Sequence, residues 1–467
     1  MGAFFATIAL RSGAGHALAR IDQTPFETTI LDLGEDGRGV ACWPEGHRQA
    51  GKTVFVAGAL PGERVLAKQT GRSRRHDDAV VEEVLLASPG RVAPRCPHYG
   101  TCGGCSLQHL AGDRQVAAKA QGLAAAFQGA GVAPEEELAP LSADAWGYRR
   151  KGRLSVRRVE KKGRTLVGFR ERDPRFVAEL RECHVLVPQL GLRIGELADL
   201  VDGLEARASI PQIEFSAGDA TTALVFRHLE PLSERDRAAL VEFAKARGFA
   251  VFLQPGGIDS VAPLWPEDPR LSFRLAPWDV ELEFQPLDFI QVNAALNEKM
   301  IAHALTLLDV QPGERVLDLF CGLGNFSLPL GRVAAEVVGV EGDAGLVERA
   351  RGNAARNGMP HVAFHRADLA TDLSQQPWMA GGFDRLLLDP ARAGALEVLK
   401  QLPLEGIRRI VYVSCHPGSL ARDAAYLVNE RGWRLRSAGV MDMFPHTAHV
   451  ESIAVFEPPA AAAGTES

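Results

Sequence analysis

The most restrictive pattern in this chain lies between residues 315 and 341. Arg315-Val316-Leu317-Asp318-Leu319 reads as a buried strand, followed at once by Phe320-Cys321-Gly322-Leu323-Gly324-Asn325 and then a helical stretch. Two glycines let the backbone turn tightly and approach a ligand closely. Ser327 stands where a dinucleotide fingerprint would carry its third glycine, so the pair alone is weak evidence. The next strand, Glu336-Val337-Val338-Gly339-Val340, ends in Glu341. An acidic residue about 20 positions past such glycines can accept hydrogen bonds from both ribose hydroxyls. A third strand leads to Asp368, placed for an adenine amine, and a fourth, Arg385-Leu386-Leu387-Leu388, ends in Asp389-Pro390-Ala391-Arg392. From Asp288 onward strands and helices alternate, which predicts a doubly wound parallel sheet with these residues at its ligand-binding edge. No strong anion cradle is visible, which favours S-adenosylmethionine over NAD. The competing reading is a nucleotide fold that no longer binds anything.

A further strand, Arg409-Ile410-Val411-Tyr412-Val413, ends at Ser414-Cys415-His416-Pro417. A lone cysteine is ordinarily a structural one. Here it would face the cofactor crevice, and Met443-Phe444-Pro445-His446-Thr447-Ala448-His449-Val450-Glu451 adds His and Glu to an apolar C-terminal region.

These pieces, with Phe289-Ile290-Gln291-Val292-Asn293, resemble the RNA uracil-C5 methyltransferase family from about Ile21 to Phe456. One departure is His416, where the family more often has Asn. The resemblance implies Cys415 as nucleophile and Glu451 as base, with Gln291, Phe320, Asn325, Glu341, Asp368 and Asp389 lining the S-adenosylmethionine and substrate pocket. The implied chemistry needs these residue types. Carbon 5 of uracil is a poor nucleophile until a thiolate adds to carbon 6, and a base must then remove the carbon 5 proton so that the thiolate can leave. The target base must leave its stack to reach both groups. A cytosine-C5 methyltransferase would carry other motifs around its cysteine. A ribosome-assembly protein with a vestigial catalytic domain would have no need of Cys415, Glu451, Glu341 and Asp389.

Seven cysteines is an odd number, and Cys96, Cys102 and Cys105 fall within ten residues. With Cys183 as a fourth ligand they suit zinc or an iron–sulfur cluster, which spacing cannot separate. Such clustering suggests metal or catalytic thiols in a cytoplasmic chain rather than a disulfide framework. Family members with this pattern carry a [4Fe–4S] cluster, so the resemblance implies one here, as a staple and not a redox centre. Cys42 is expected in a barrel core and Cys321 in packing beside the cofactor.

Short strand patterns at Thr28–Leu33, Thr53–Val56 and Arg64–Ala67, separated by Gly and Pro turns, predict a small barrel, with Arg72 to His76 in a loop. That barrel resembles the TRAM domain, an OB-like RNA-binding module. Net charge is −6, yet residues 149–175 hold twelve Lys or Arg against three acids. The Arg153-Leu154-Ser155-Val156-Arg157 alternation puts its charges on one face. A solvated face is the usual meaning of such a run; an anionic partner explains the asymmetry better. Barrel, cysteine cluster and uracil-C5 domain together resemble the bacterial members that act on 23S ribosomal RNA, since the transfer RNA relative lacks the first two. The expected organisation is an extension over 1–20, the TRAM-like barrel over 21–87, a β-rich central domain with the cysteines and basic surface over 88–286, a Rossmann-like methyltransferase domain over 287–457 and a disordered tail over 458–467. No apolar run approaches the ~20 residues of a membrane span, so a cytoplasmic, monomeric protein is expected.

Overall fold

The computed structural model describes Ile21 and residues 24–459. The extension over residues 1–20 and the tail beyond 459 lie outside the described residues. The described residues form two compact units, one of those up to 34 with 38–89, the other of 35–37 and 90–459.

The first unit is one sheet of β1 (Phe26–Thr29), β2 (Asp32–Leu33), β3 (Gly39–Cys42), β4 (Thr53–Ala57), β5 (Arg64–Arg72) and β6 (Asp77–Leu86), in the order β1-β5-β6-β4-β3-β2. Alternation buries Val54, Val56, Val65 and Ala67 with Trp43, whose indole N–H donates to Asp77 at 2.8 Å. The run Thr28 to Leu33 divides into two strands because Ile30 takes its backbone bonds from the Gly62-Glu63 turn instead of a neighbouring strand. Cys42 is half-buried on the side of β3 opposite Ala41, and not in the core as expected. Arg72 closes β5, and Ser73 to His76 form the turn, with Ser73 N–H donating to the His76 carbonyl at 2.9 Å.

The second unit begins with the cysteine-bearing loop and α1 (Gly112–Gly129). After β7 (Glu136–Glu137) comes a sheet of β8 (Lys151–Val159), β9 (Arg164–Gly168), β10 (Gln212–Ala217), β11 (Thr222–Arg227), β12 (Phe249–Gln254) and β13 (Ala262–Trp265), ordered β13-β12-β11-β10-β8-β9. α2 (Pro188–Gly191), α3 (Ile194–Gly203) and α4 (Glu234–Arg247) are interspersed. The ends of α4 are set by its neighbours: the Ser233 hydroxyl caps it by accepting from Asp236 N–H, and Gly248, at φ 71°, ends it. A hairpin, β14 (Ser272–Leu275) and β15 (Val280–Glu283), leads into the last layer.

That layer runs α5 (Ala294–Leu308), β16 (Arg315–Leu319), α6 (Ser327–Leu330), β17 (Glu336–Glu341), α7 (Ala344–Arg356), β18 (Val362–Arg366), β19 (Arg385–Leu388), α8 (Leu396–Gln401), β20 (Arg409–Ser414), α9 (Pro417–Asn429), β21 (Arg434–Met441) and β22 (Glu451–Glu457). The sheet order is β18-β17-β16-β19-β20-β22-β21-β7, parallel through β20. Runs such as Leu386, Leu387 and Leu388 of β19 are buried and apolar because helices cover both faces. Val316, Val337 and Val411 pack with Met300 of α5 and Ala350 of α7, while Leu317, Leu386 and Ile410 pack with Leu420 of α9 and Phe127 of α1. β22 departs from simple alternation. It lies antiparallel between β20 and β21, so its first residue, not its last, falls at the ligand-binding edge.

Candidate active site

β16 is flanked by β17 and β19, so the strand order reverses there and opens a crevice beyond the carboxyl ends. At its floor Phe320 takes φ 65°, a conformation bulky residues rarely adopt and one found at ligand-binding turns. Glu341 accepts from Gly342 and Asp343 N–H with one oxygen, at 2.7 and 3.0 Å, and from Gly322 N–H with the other at 3.2 Å. Ser327, in place of a third glycine, donates to Asp318 Oδ2 at 2.5 Å, and Asp318 Oδ1 is buried with no partner. Burial pushes the Asp318 carboxyl up to about 7. Asn325 and Asn297 of α5 bond reciprocally at 2.9 Å. Gln291 is buried, its carbonyl accepting from Arg150 Nε at 2.8 Å. Asp368 is exposed beyond β18, in a turn that its carboxylate closes by accepting from Ala370 N–H at 3.0 Å.

Cys415 follows β20 and Glu451 opens β22. In the antiparallel register Ser414 faces Ser452, so one further step sets Cys415 opposite Glu451. The Glu451 carboxylate is close enough to act on the Cys415 thiol. In the parallel β19–β20 pair Leu388 faces Tyr412, which brings Asp389 to the same edge. Glu451 is only 5 % exposed. Burial, reinforced by Asp389, pushes it up to about 8 against the opposing pull of Lys119. Burial also pushes Asp389 up to about 7. The Cys415 thiol is held at about 11 by burial and by the two carboxylates, while Arg392 acts to lower it.

Cys415 immediately precedes the N-cap of α9, where a helix dipole favours an anion. His416 is that cap: its Nδ1 accepts from Ser419 N–H at 3.1 Å, and Pro417 takes the first helical position. The ring therefore does the work an Asn side chain would do. Cys321, the other thiol near the crevice, is 5 % exposed and pushed far up by burial, which leaves it poorly suited to nucleophilic work.

Two residues absent from the sequence reading also converge here. Gln115 and Lys119, one turn apart on α1, are buried. Lys119 Nζ lies 2.6 Å from Asp442 Oδ1 and donates to the Phe444 carbonyl at 3.0 Å. Gln115 accepts from His446 N–H at 2.8 Å. The signal for both was available, because they continue the Leu123–Phe127 stripe at i+4 spacing as polar residues on an apolar face.

Cys96, Cys102, Cys105 and Cys183 line one cavity with Tyr99, Phe169, Leu180 and Val185. Burial, with neighbouring thiols adding to it, pushes Cys102 up to about 11 and Cys105 up to about 12. Among the described residues no three His, Cys, Asp or Glu side chains gather as the ligands of a single ion would. The loop carrying Cys105 is tied to the loop before Glu451, since Ser106 and Leu107 N–H both donate to the His446 carbonyl at 2.9 Å.

The basic stretch alternates as expected, with Leu154 and Val156 buried between outward Arg153, Ser155 and Arg157. Much of its charge is nonetheless committed within the fold. Arg153 pairs with Glu214 at 2.8 Å, Arg158 with Asp202 at 2.7 Å, and Lys162 and Arg164 with Glu179 at 3.0 and 2.7 Å. Arg150 is buried over the Phe273 ring. The local excess of cations is thus smaller in space than in sequence.

Residues 273–457 match the family model described as tRNA (Uracil-5-)-methyltransferase. A protein of Xanthomonas campestris pv. campestris (strain 8004), 23S rRNA (uracil(1939)-C(5))-methyltransferase RlmD, is 64% identical over 94% of this chain and 98% of its own length. The namesake of Xylella fastidiosa (strain Temecula1 / ATCC 700964) is 63% identical over the same shares. Among solved structures, a Pyrococcus abyssi tRNA (uracil-54, C5)-methyltransferase in complex with S-adenosyl-L-homocysteine superposes with a TM-score of 0.69 at 23% identity, covering 92% of this chain and 99% of that one. At that identity the likeness is one of fold.

Proposed function

Because the chain belongs to the RNA uracil-C5 methyltransferase family, we propose that it methylates the 23S ribosomal RNA uridine equivalent to the uracil 1939 of its relatives' name, with Cys415 as nucleophile and Glu451 as base. The activity itself, S-adenosylmethionine-dependent transfer of a methyl group to uracil carbon 5, is that of the family. The observation that carries the residue roles is the register that sets a thiol and a carboxylate opposite each other at the ends of β20 and β22.

The crevice is rich in acceptors: Glu341, the unpartnered Asp318 oxygen, Asp389 and Glu451. That set suits ribose hydroxyls, amines and a cationic sulfonium, and it disfavours phosphates. Glu341 would take the ribose hydroxyls and Asp368 the adenine amine, with Gln291, Phe320, Asn325 and Asp389 lining the remainder. S-adenosylmethionine, when bound, supplies an electrophilic methyl group.

Cys415 adds to carbon 6 of a flipped uracil, and the electron pair pushed toward carbon 5 makes that carbon nucleophilic. The thiol must lose its proton first. Arg392 and the α9 N-terminus favour the anion, and the buried carboxylates oppose it. After methylation Glu451 takes the carbon 5 proton, the carbon 5–carbon 6 double bond re-forms and the sulfur leaves carbon 6 as thiolate.

The four cysteines are proposed to hold a [4Fe–4S] cluster. Four thiols lining one cavity suit zinc or an iron–sulfur cluster, and the family resemblance favours the cluster. The first unit is proposed as the TRAM-like RNA-binding barrel. The test of function is to map 5-methyluridine in ribosomal RNA from cells with and without the gene, and to assay methyl incorporation into unmodified 23S and transfer RNA in parallel. Loss of 5-methyluridine at one 23S position is expected; incorporation into transfer RNA alone overturns the substrate assignment.

A further inference from the structure

We propose that Lys119 is a positioning residue for the proton-abstracting carboxylate: from α1 it anchors the 442–450 loop and supplies the buried positive charge that favours the carboxylate form of Glu451. The inference rests on the reading of Glu451 as base and goes beyond it to the group that maintains the base.

A lysine 3 % exposed is rare, because removing an ammonium from water is costly unless it is paired. Lys119 is paired twice, to Asp442 at 2.6 Å and to the Phe444 carbonyl at 3.0 Å. Asp442 directly follows β21, and its loop runs through His446, at φ 67°, to Glu451. Gln115 fixes the middle of that loop from the same helix face. A backbone anchor alone would not require a charge.

The charge matters because of what surrounds Glu451. Asp389 acts on it from the end of β19 and Lys119 from α1; Cys415 feels it from the end of β20; Asp442, which follows the Met441 paired with Glu451, is held by Lys119; and burial disfavours the charged form of the neighbouring His449. Among the described residues Lys119 is the cation that acts on this carboxyl. A protonated Glu451 cannot take the carbon 5 proton. Without Lys119, burial and Asp389 act unopposed, the neutral acid persists to higher pH, and resolution of the covalent adduct stalls.

The test compares the full-length protein with Lys119→Met/Asp442→Asn, which removes both members of the buried pair and leaves no orphaned charge, and with Asp442→Asn alone, which keeps the ammonium. S-adenosylmethionine affinity should agree within about twofold across all three. Each should form a covalent adduct with RNA carrying 5-fluorouridine, whose carbon 5 has no proton to abstract. With ordinary RNA the double variant should resolve its adduct about tenfold more slowly near pH 7, with the deficit shrinking as pH rises, because each unit of raised pKa is tenfold less base. Asp442→Asn should move the same limb to lower pH, since an unneutralised ammonium favours the carboxylate. Shifts in opposite directions are not expected of a purely structural pair. Superimposable pH profiles, a deficit constant across pH, shifts of the same sign, or loss of the fluorouridine adduct in the double variant alone would each overturn the proposal. If the unsubstituted protein forms no fluorouridine adduct, the nucleophile assignment fails first, and the inference with it.

Discussion

In the proposed mechanism Cys415 and Glu451 carry opposite ends of one exchange, so their substitutions should separate. Cys415→Ala removes the atom that bonds carbon 6, and neither adduct nor product forms. Glu451→Gln leaves addition and methyl transfer intact but gives the carbon 5 proton nowhere to go. A methylated protein–RNA species that survives denaturing electrophoresis should therefore accumulate with Glu451→Gln and be absent with Cys415→Ala. Methyl transfer by Cys415→Ala would show the nucleophile to be wrong. His416 poses a second question at this scale. Its ring caps α9, so His416→Asn should preserve stability, while His416→Ala should lose about 1 kcal/mol in urea unfolding. Equal losses from both would mean that the ring is not acting as a cap. The motifs around Cys415, Glu341 and Asp389 were legible because strand ends and following turns are local patterns. Lys119 was legible only as a polar residue on an apolar stripe, and not in its role, since its partner Asp442 lies more than three hundred residues away. The ion pairs that neutralise part of the 149–175 stretch escaped for the same reason: Glu214, Asp202 and Glu179 lie on other elements.

At the scale of elements, α1 links the cysteine loop to the catalytic sheet. Its lower stripe, Leu123 and Phe127, is buried with Leu317 of β16, Ile410 of β20 and Leu420 of α9. Phe127, 2 % exposed, closes that core. Phe127→Ala should cost about 3–5 kcal/mol, lowering the denaturation midpoint with an unchanged slope. A loss well under 1 kcal/mol would mean that α1 docks on the sheet without supporting it. The parallel strands could be read from sequence because apolar runs and the turns after them define them locally. The insertion of β22 between β20 and β21 could not. It depends on pairings that skip a strand, and those are long-range choices with no period to betray them. Yet that insertion is what turns Glu451 toward Cys415, so the residues of the site were readable before the geometry joining them was.

At the scale of the whole molecule, two prosthetic questions separate from catalysis. If the four thiols hold the proposed cluster, protein purified without oxygen should be brown and carry about four irons per chain; a colourless protein with one zinc would refute the cluster and leave the methyl transfer standing. The first unit, proposed as an RNA-binding barrel, raises the other question. Its strands close their own apolar core around Trp43, Val54 and Val65, and the β5–β6 turn presents Arg74 and Arg75, both exposed. The S-adenosylmethionine motifs all lie in the second unit. Deleting residues 1–89 should therefore leave S-adenosylmethionine affinity within about twofold while weakening RNA binding about tenfold or more, because lost cations mean fewer counterions released from the RNA. The salt dependence separates this from a folding defect. A chain that has lost phosphate contacts should show a shallower fall of RNA affinity with rising salt, by roughly one unit of slope for each contact removed. A truncated protein that loses both affinities together, or keeps the original salt slope, would show the barrel to be a structural part of the enzyme and not a surface that engages RNA.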